Sequence, residues 1–126
     1  MKPAAALDAA IGLGVVETTE HGSLLRLEPT EAAIVEGDPP FLHGGALATC
    51  VDSAAWAAVD AAKPGGNWVV TDLRLDCLRL ARAEPHVVRG VVRRAGRRLA
   101  VVDVEIAPAG EPERPVALGR VSLLLA

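Results

Sequence analysis

One carboxylate stands alone in a long apolar stretch of this chain. Asp52 is the only charged side chain between His43 and Asp60, and it follows the pair Gly44-Gly45 by seven residues. An ionised carboxylate among apolar side chains is costly unless something balances its charge. Isolated groups of this kind cluster at active sites. The pattern therefore points to chemistry in this stretch of the chain.

The glycine turn supplies the second half of that chemistry. Backbone N–H groups at the start of a helix have no partner within the helix and carry partial positive charge, and glycine lets a ligand approach the backbone closely. We expect the Gly44 N–H to polarise a carbonyl oxygen, with the Gly45 N–H as a weaker second donor. Asp52 would be a general base on water or a nucleophile, and the sequence leaves both routes open.

Each of these residues also has a simpler structural interpretation. Gly44-Gly45 alone fits an ordinary turn, and Asp52 alone fits the solvent-facing edge of a helix. His43 is a candidate catalytic residue, although we expect it mainly to order the loop. Thr49, one turn before Asp52, either holds water or bonds the helix backbone. Trp56, one turn after Asp52, either packs at an interface or lines a substrate pocket.

Length and composition favour a single soluble domain over residues 1–126. Hydrophobic residues make up 51% of the chain, and the net charge of -3 gives no general basic field for nucleic acid or an anionic membrane. Eight arginines nevertheless fall between residues 74 and 98, which favours a small anionic ligand. Cys50 and Cys77 lack metal-binding spacing, so we expect two buried packing residues, no metal and a reduced, cytoplasmic setting.

The chain also lacks the pattern of a secretory leader or a membrane span. Asp8 interrupts the first Ala-rich run too early for the apolar part of a signal peptide. The longest apolar stretch, 46–62, contains Asp52 and Asp60 and is mostly Ala. We interpret it as a buried helix of a soluble protein.

Hydrophobic periodicity predicts a helix, two strands, one long helix and four further strands. Because the long helix is Ala-rich and cannot cover itself, a single antiparallel sheet wrapped around it would bury it in an α+β fold. Turn residues separate the elements, with Gly37-Asp38-Pro39-Pro40 before the long helix, Pro64-Gly65-Gly66-Asn67 after it, and Gly96 in a hairpin. The expected helices are 3–12 and 45–62, the expected strands are 14–19, 23–29, 68–81, 86–95, 98–107 and 115–125, and 30–42 is expected to be a loop.

His43-Gly44-Gly45 followed by Asp52 resembles the signature of the hotdog-fold acyl-CoA thioesterases of the phenylacetic acid degradation (PaaI-like) type. The segment 69–79 is similar to that family's third strand, and the similarity spans residues 10–125. The resemblance implies a curved antiparallel β-sheet wrapped around a long central helix. It also implies homodimers with a continuous sheet, often paired into homotetramers. Their active sites would lie at the dimer interface, with the carboxylate and the glycine amides drawn from different subunits.

Two positions depart from the family pattern. Gly37 stands six residues before His43, where the family often has Asn, and Val70 stands where the third strand tends to begin with Ser or Thr. Thr71, one residue later, becomes the candidate substrate-binding hydroxyl. These departures bear on the supporting residues and leave Asp52 and Gly44 in place.

The leading prediction is hydrolysis of an acyl-CoA thioester to free acid and coenzyme A, with no metal and no cofactor. Arg79 and Arg82 at a strand end, and the arginines around Gly96, are candidates for the coenzyme A phosphates. The expected partners are the acyl-CoA substrate and further copies of the chain, with no nucleic acid and no membrane. The alternatives are a non-catalytic acyl-CoA-binding module and a hydratase or dehydratase.

Overall fold

The computed structural model describes residues 5–126 and has one long helix enclosed by a curved, six-stranded antiparallel sheet. The strands follow one another across this sheet in the order β1-β2-β6-β7-β8-β5, and β3 and β4 form a separate pair. The helices are α1, Ala5–Ile11, and α2, Gly44–Ala62; the strands are β1, Leu13–Thr19, β2, Gly22–Leu27, β3, Ile34–Val35, β4, Phe41–Leu42, β5, Trp68–Cys77, β6, His86–Ala95, β7, Leu99–Pro108, and β8, Ala117–Leu125.

Small side chains let α2 lie close to the sheet. Ala54, Ala55 and Ala58 are fully buried, and the sheet presents a layer of branched aliphatic side chains to them. In β7 this layer consists of Val102, Val104 and Ile106. Neither helix in the described part of the chain is long and apolar enough to cross a membrane.

Two glycines set the distance between α2 and the sheet. A Cβ atom on Gly119 of β8 would lie 2.6 Å from Val51 Cγ1 and 2.8 Å from its Cγ2. A Cβ atom on Gly90 of β6 would lie 2.6 Å from Ser23 Oγ and 3.2 Å from the Ala54 oxygen. The Ser23 hydroxyl donates a hydrogen bond to that same oxygen at 2.7 Å, joining β2 directly to the helix.

The predicted order of the two helices and of the six strands of the main sheet is confirmed, and so is the alternation in β7. Val102, Val104 and Ile106 face the core, whereas Asp103 and Glu105 face the other side. Of the predicted first helix, residues 3 and 4 lie outside the described residues. Both patterns depend on local periodicity, which explains why they could be read directly from the sequence.

The segment 30–42 is more ordered than the predicted loop. It contains a 3₁₀ helix, Glu31–Ala33, followed by β3 and β4, which pair on either side of the proline-containing turn. One distant and one local contact hold this small hairpin. The Leu42 N–H donates to the oxygen of the distant Ala81 at 2.8 Å, and the His43 N–H donates to the oxygen of Ala33, at the end of the 3₁₀ helix, at 2.8 Å. The turn signal identified the bend but not these partners.

The predicted strand 68–81 is too long, and the predicted burial of Cys77 is wrong. β5 ends at Cys77, after which the Leu78 N–H donates to the Val116 oxygen at 2.8 Å. Cys77 is exposed, because it lies at the end of an edge strand, whereas Cys50 of α2 is buried as expected.

Gly119→Ala tests the close approach of helix and sheet. The added methyl group meets the side chain of Val51, so the free energy of unfolding should fall by about 1–3 kcal/mol in urea denaturation followed by circular dichroism. Gly110→Ala is the matched control, because a Cβ atom there meets nothing within 4 Å. Equal unfolding free energies for the two variants would contradict this account of the packing.

Candidate active site

The first turn of α2 leaves one backbone donor free. His43 caps the helix, with its Nδ1 accepting a hydrogen bond from the Gly45 N–H at 2.9 Å. The His43 carbonyl oxygen accepts from the Ala46 N–H at 2.9 Å and from the Leu47 N–H at 3.2 Å. The Gly44 N–H has no acceptor within residues 5–126. The Gly45 amide, which we expected to be a second donor, is therefore already engaged, and His43 orders the turn as expected.

A ligand can reach the Gly44 amide. Gly44 is exposed, and a Cβ atom built on it would have no other atom within 4 Å. His43 has an extended backbone, with φ of -62° and ψ of 137°, as expected for a residue that precedes a helix. The partial positive charge of the helix N-terminus adds to the attraction of this amide for a polarised oxygen.

Asp52 lies two turns further along α2 and is half-buried. Its Oδ1 atom is buried and has no hydrogen-bond partner among the residues that the structure describes. Burial raises the pKa of Asp52 above its ordinary value, and the nearby negative charge of Asp8 raises it further. Such a carboxylate holds its proton more tightly than an exposed one and is a stronger base once it is ionised.

Asp52 and the Gly44 amide cannot contact the same small group within one protomer. Eight residues separate them along α2, which corresponds to about 12 Å along the helix axis. A polarising donor must lie roughly 3 Å from the oxygen that it stabilises. A site that uses both groups therefore needs two copies of the chain, one providing Gly44 and the other Asp52.

The other candidate substrate-binding residues occupy distinct places. Thr49 donates from Oγ1 to the Gly45 oxygen at 2.9 Å, which is the backbone-bonded alternative considered for this hydroxyl. Trp56 is partly buried and packs against the core. Thr71 is the extra residue where the pairing of β5 with β8 shifts register, and its exposed hydroxyl donates to the Ser122 oxygen at 3.2 Å.

Arg82 is a candidate phosphate ligand whose backbone pairs with the strand just before α2. It forms an isolated β-bridge with Phe41, two residues before His43. Arg79, by contrast, donates from Nη1 to the Pro115 oxygen at 2.6 Å and so braces the loop before β8. Both side chains are exposed.

A second cluster of charges lies on the outer face of the sheet, away from α2. Asp103 accepts hydrogen bonds from Arg120 and Arg93, and these bonds lower the pKa of Asp103 to about 2. A depression of about 390 Å³ lies beside this cluster and is lined in part by Arg89 and Glu105. Within the described residues, no group of three or more His, Cys, Asp or Glu side chains is arranged to hold a metal ion.

Sequence reasoning missed Asp8 as a neighbour of the site. Its carboxylate accepts a hydrogen bond from the Ser53 hydroxyl at 2.7 Å, although the two residues are 45 positions apart in the chain. No local pattern marks this contact, because it depends on how α1 packs on α2.

Comparison with known proteins identifies the family. A model of the thioesterase superfamily matches residues 40–113, which include the glycine turn and Asp52. The match covers more than half of the chain, so the protein belongs to the thioesterase superfamily. A search of curated protein sequences found no match.

Several solved structures have the same fold. An X-ray structure of a thioesterase superfamily protein is 29% identical, with a TM-score of 0.84 over 95% of this chain and 89% of that one. The E. coli PaaI protein from the phenylacetic acid degradation operon is 23% identical, with a TM-score of 0.82 over 96% of this chain and 84% of that one. Zebrafish thioesterase superfamily member 2 is 23% identical, with a TM-score of 0.81 over 91% and 82% of the two chains. The α+β hotdog fold expected from the resemblance is confirmed.

Asp52→Asn should raise the melting temperature at pH 7. Since the folded-state pKa of Asp52 is raised, its ionisation disfavours the folded state, and this loss of stability develops as pH rises through the folded pKa. The gain in the variant should therefore shrink as pH falls toward 3.8, the ordinary pKa of an aspartate. Thermal melts across this pH range measure the effect, with Glu17→Gln, an exposed carboxylate of β1, as the control. A lower melting temperature for Asp52→Asn than for the wild-type protein at pH 7 would contradict the raised pKa of Asp52 in the folded state.

Proposed function

We propose that this protein hydrolyses acyl-CoA thioesters to the free acid and coenzyme A, without a metal or a further cofactor. One observation carries the proposal: within residues 5–126, the Gly44 N–H at the start of α2 has no acceptor, and the buried Oδ1 of the half-buried Asp52 in the middle of α2 has no hydrogen-bond partner. Membership of the thioesterase superfamily supports thioester hydrolysis as the class of reaction.

The reaction uses the two groups on opposite sides of the thioester. The Gly44 N–H binds the carbonyl oxygen and stabilises the negative charge that develops on it, a contribution of about 3 kcal/mol for one such donor. Asp52 takes a proton from water while the water oxygen bonds to the carbonyl carbon. The carbon–sulfur bond then breaks, and the proton passes to the departing sulfur, which leaves as the thiol of coenzyme A.

Direct attack by the Asp52 carboxylate is the other route, and isotopic oxygen separates the two. A single turnover in ¹⁸O-labelled water puts the label directly into the product acid when Asp52 acts as a base. When Asp52 acts as the nucleophile, the first turnover transfers one of its own oxygens to the product, provided that water opens the anhydride at the aspartyl carbon.

The proposed catalytic unit is a homodimer that joins two β5 strands. β5 has ten residues and forms one edge of the six-stranded sheet. An edge of this length presents unpaired N–H and C=O groups to a second strand. Pairing there would make one continuous sheet and bring a second α2 helix to the site.

Arg82 is the proposed ligand for a coenzyme A phosphate. Its bridge to Phe41 places its backbone beside the strand that leads into His43, and its guanidinium is exposed. Guanidinium groups bind phosphate oxygens through paired, charge-assisted hydrogen bonds.

Gly44→Pro tests the amide donor with little change to the helix. Proline is favoured at the first position of a helix, and the extended conformation of His43 suits a residue that precedes proline. Loss of the N–H should lower kcat by about 10²–10³-fold in a thiol-release assay over acyl-CoAs of varied chain length. Gly44→Ala keeps the N–H and enters open space, so it should retain most of the activity. Equal kcat values for the two variants would exclude this amide as the polarising donor.

Mixing two inactive variants tests the shared site. Asp52→Asn and Gly44→Pro should each be inactive alone, because the first lacks the Asp52 carboxylate and the second lacks the Gly44 N–H in both sites of the dimer. Refolded together, half of the dimers carry one intact site, so activity should return to about a quarter of the wild-type level. If the mixture stays inactive while mixed dimers are present by native mass spectrometry, the two groups do not come from different subunits. Tight acyl-CoA binding without thiol release by the wild-type protein would instead favour a non-catalytic binding module.

A further inference from the structure

A second carboxylate contacts the residue that follows the proposed base. Asp8 of α1 accepts a hydrogen bond from the Ser53 hydroxyl at 2.7 Å, and Ser53 directly follows Asp52 in α2. Ser53 is buried, and Asp8 is half-buried. The fold thus places a negative charge against the turn of α2 that carries Asp52.

The position of α1 is fixed at its C-terminal end. Ile11 is buried in the core, and its carbonyl oxygen accepts a hydrogen bond from the Thr30 N–H at 3.1 Å. The Gly12 N–H donates to the Asp8 carbonyl oxygen at 3.0 Å and closes the last turn of the helix. Asp8 is therefore held beside α2 by the backbone on one side and by the Ser53 hydroxyl on the other.

Two opposing effects act on the pKa of Asp8. Burial raises the pKa of Asp8, and the hydrogen bond from Ser53 lowers it by favouring the ionised form. Burial raises the pKa of Asp52 and that of Cys50, the latter to about 12, and the charge of Asp8 raises both further.

Other titratable groups around α2 do not offset this charge. Cys50 and His86 are the other titratable side chains buried in the described core; Cys50 is neutral, and burial lowers the pKa of His86 so that it too is uncharged at neutral pH. Asp60 lies on α2 itself, about 12 Å from Asp52 along the axis. The strands that pack on α2 carry their charges at solvent-facing positions: Glu17 of β1, Arg26 of β2, Asp72, Arg74 and Asp76 of β5, Arg89, Arg93 and Arg94 of β6, Asp103 and Glu105 of β7, and Arg120 of β8.

We propose that Asp8 is a positioning residue of this site: its carboxylate, held by the hydroxyl of Ser53, the residue that follows Asp52, strengthens Asp52 as the base that takes the proton from water. A neighbouring like charge disfavours ionisation of a carboxylate, and the carboxylate then binds a proton more strongly. A stronger base transfers the proton from water more readily. This inference rests on the proposed role of Asp52.

Asp8→Asn tests the charge and keeps the tether. The amide oxygen of asparagine still accepts the hydrogen bond from Ser53, so α1 stays in place while the charge is lost. The acid limb of the kcat/KM profile should move to lower pH. At one pH unit below the wild-type midpoint, the kcat/KM of each protein is expressed as a fraction of its own plateau value. This fraction should be at least about twofold higher for Asp8→Asn than for the wild-type protein. The plateau itself should fall a few-fold, because Asp52 becomes a weaker base.

Asp8→Ala separates the charge from the tether, since it removes both. If Asp8 acts through its charge, the acid limb moves to lower pH in both variants. If Asp8→Asn keeps the wild-type pH profile and Asp8→Ala alone loses activity, Asp8 is only a tether and the inference is wrong.

A spectroscopic titration tests the effect of Asp8 on Asp52 without relying on the proposed enzymatic activity. The ¹³C chemical shift of the Asp52 carboxyl, assigned by its loss in Asp52→Asn, is followed against pH without substrate. An Asp52 midpoint at lower pH in Asp8→Asn supports the inference, and an unchanged midpoint overturns it. If Asp52→Asn keeps wild-type turnover, the proposed function fails, whatever the titration gives.

Discussion

The close packing of one Ala-rich helix against a curved sheet is the constraint on which the rest of this structure depends. Gly90 and Gly119 leave room for α2, and the hydrogen bond from Ser23 to the Ala54 oxygen joins the helix to the sheet. Because protein interiors are packed as densely as organic crystals, a helix held this closely has little freedom to rotate or slide. Both proposed catalytic groups lie on this helix, so the packing that stabilises the core also fixes their positions.

Two aspartates of this protein lie in environments that shift their pKa values in opposite directions. Asp103, on the outer face of the sheet, is stabilised in its ionised form by Arg120 and Arg93. Asp52 has a buried oxygen with no hydrogen-bond partner among the described residues, and both burial and the charge of Asp8 raise its pKa. A sequence selected for stability alone would pair or expose Asp52, because an unpaired buried charge disfavours folding. Its presence in this environment is the physical basis for the proposal that it takes part in chemistry.

The geometry of α2 also links the proposed activity to assembly. A helix cannot bring its first turn and its middle turn to the same atom, so in the proposed mechanism the Gly44 amide and the Asp52 carboxylate of one chain would serve different sites. An unprotected sheet edge would normally be an aggregation hazard, and a defined partner strand removes that hazard. Under the proposed mechanism, the edge strand β5, the glycine turn and Asp52 would all contribute to a site shared by two copies of the chain.

The sequence by itself determined the order of the elements, the inward face of β7 and the spacing of Gly44 and Asp52, because these depend on local periodicity and on covalent distance along the chain. Only the tertiary structure decided that the Gly45 amide is engaged by His43, that Cys77 is exposed at a sheet edge, and that 30–42 contains a small hairpin. Only the tertiary structure, too, placed Asp8 against Ser53, across 45 residues of chain. The physical reason is that side-chain orientation, strand position and contacts between distant segments depend on how the whole chain packs, whereas residue periodicity does not.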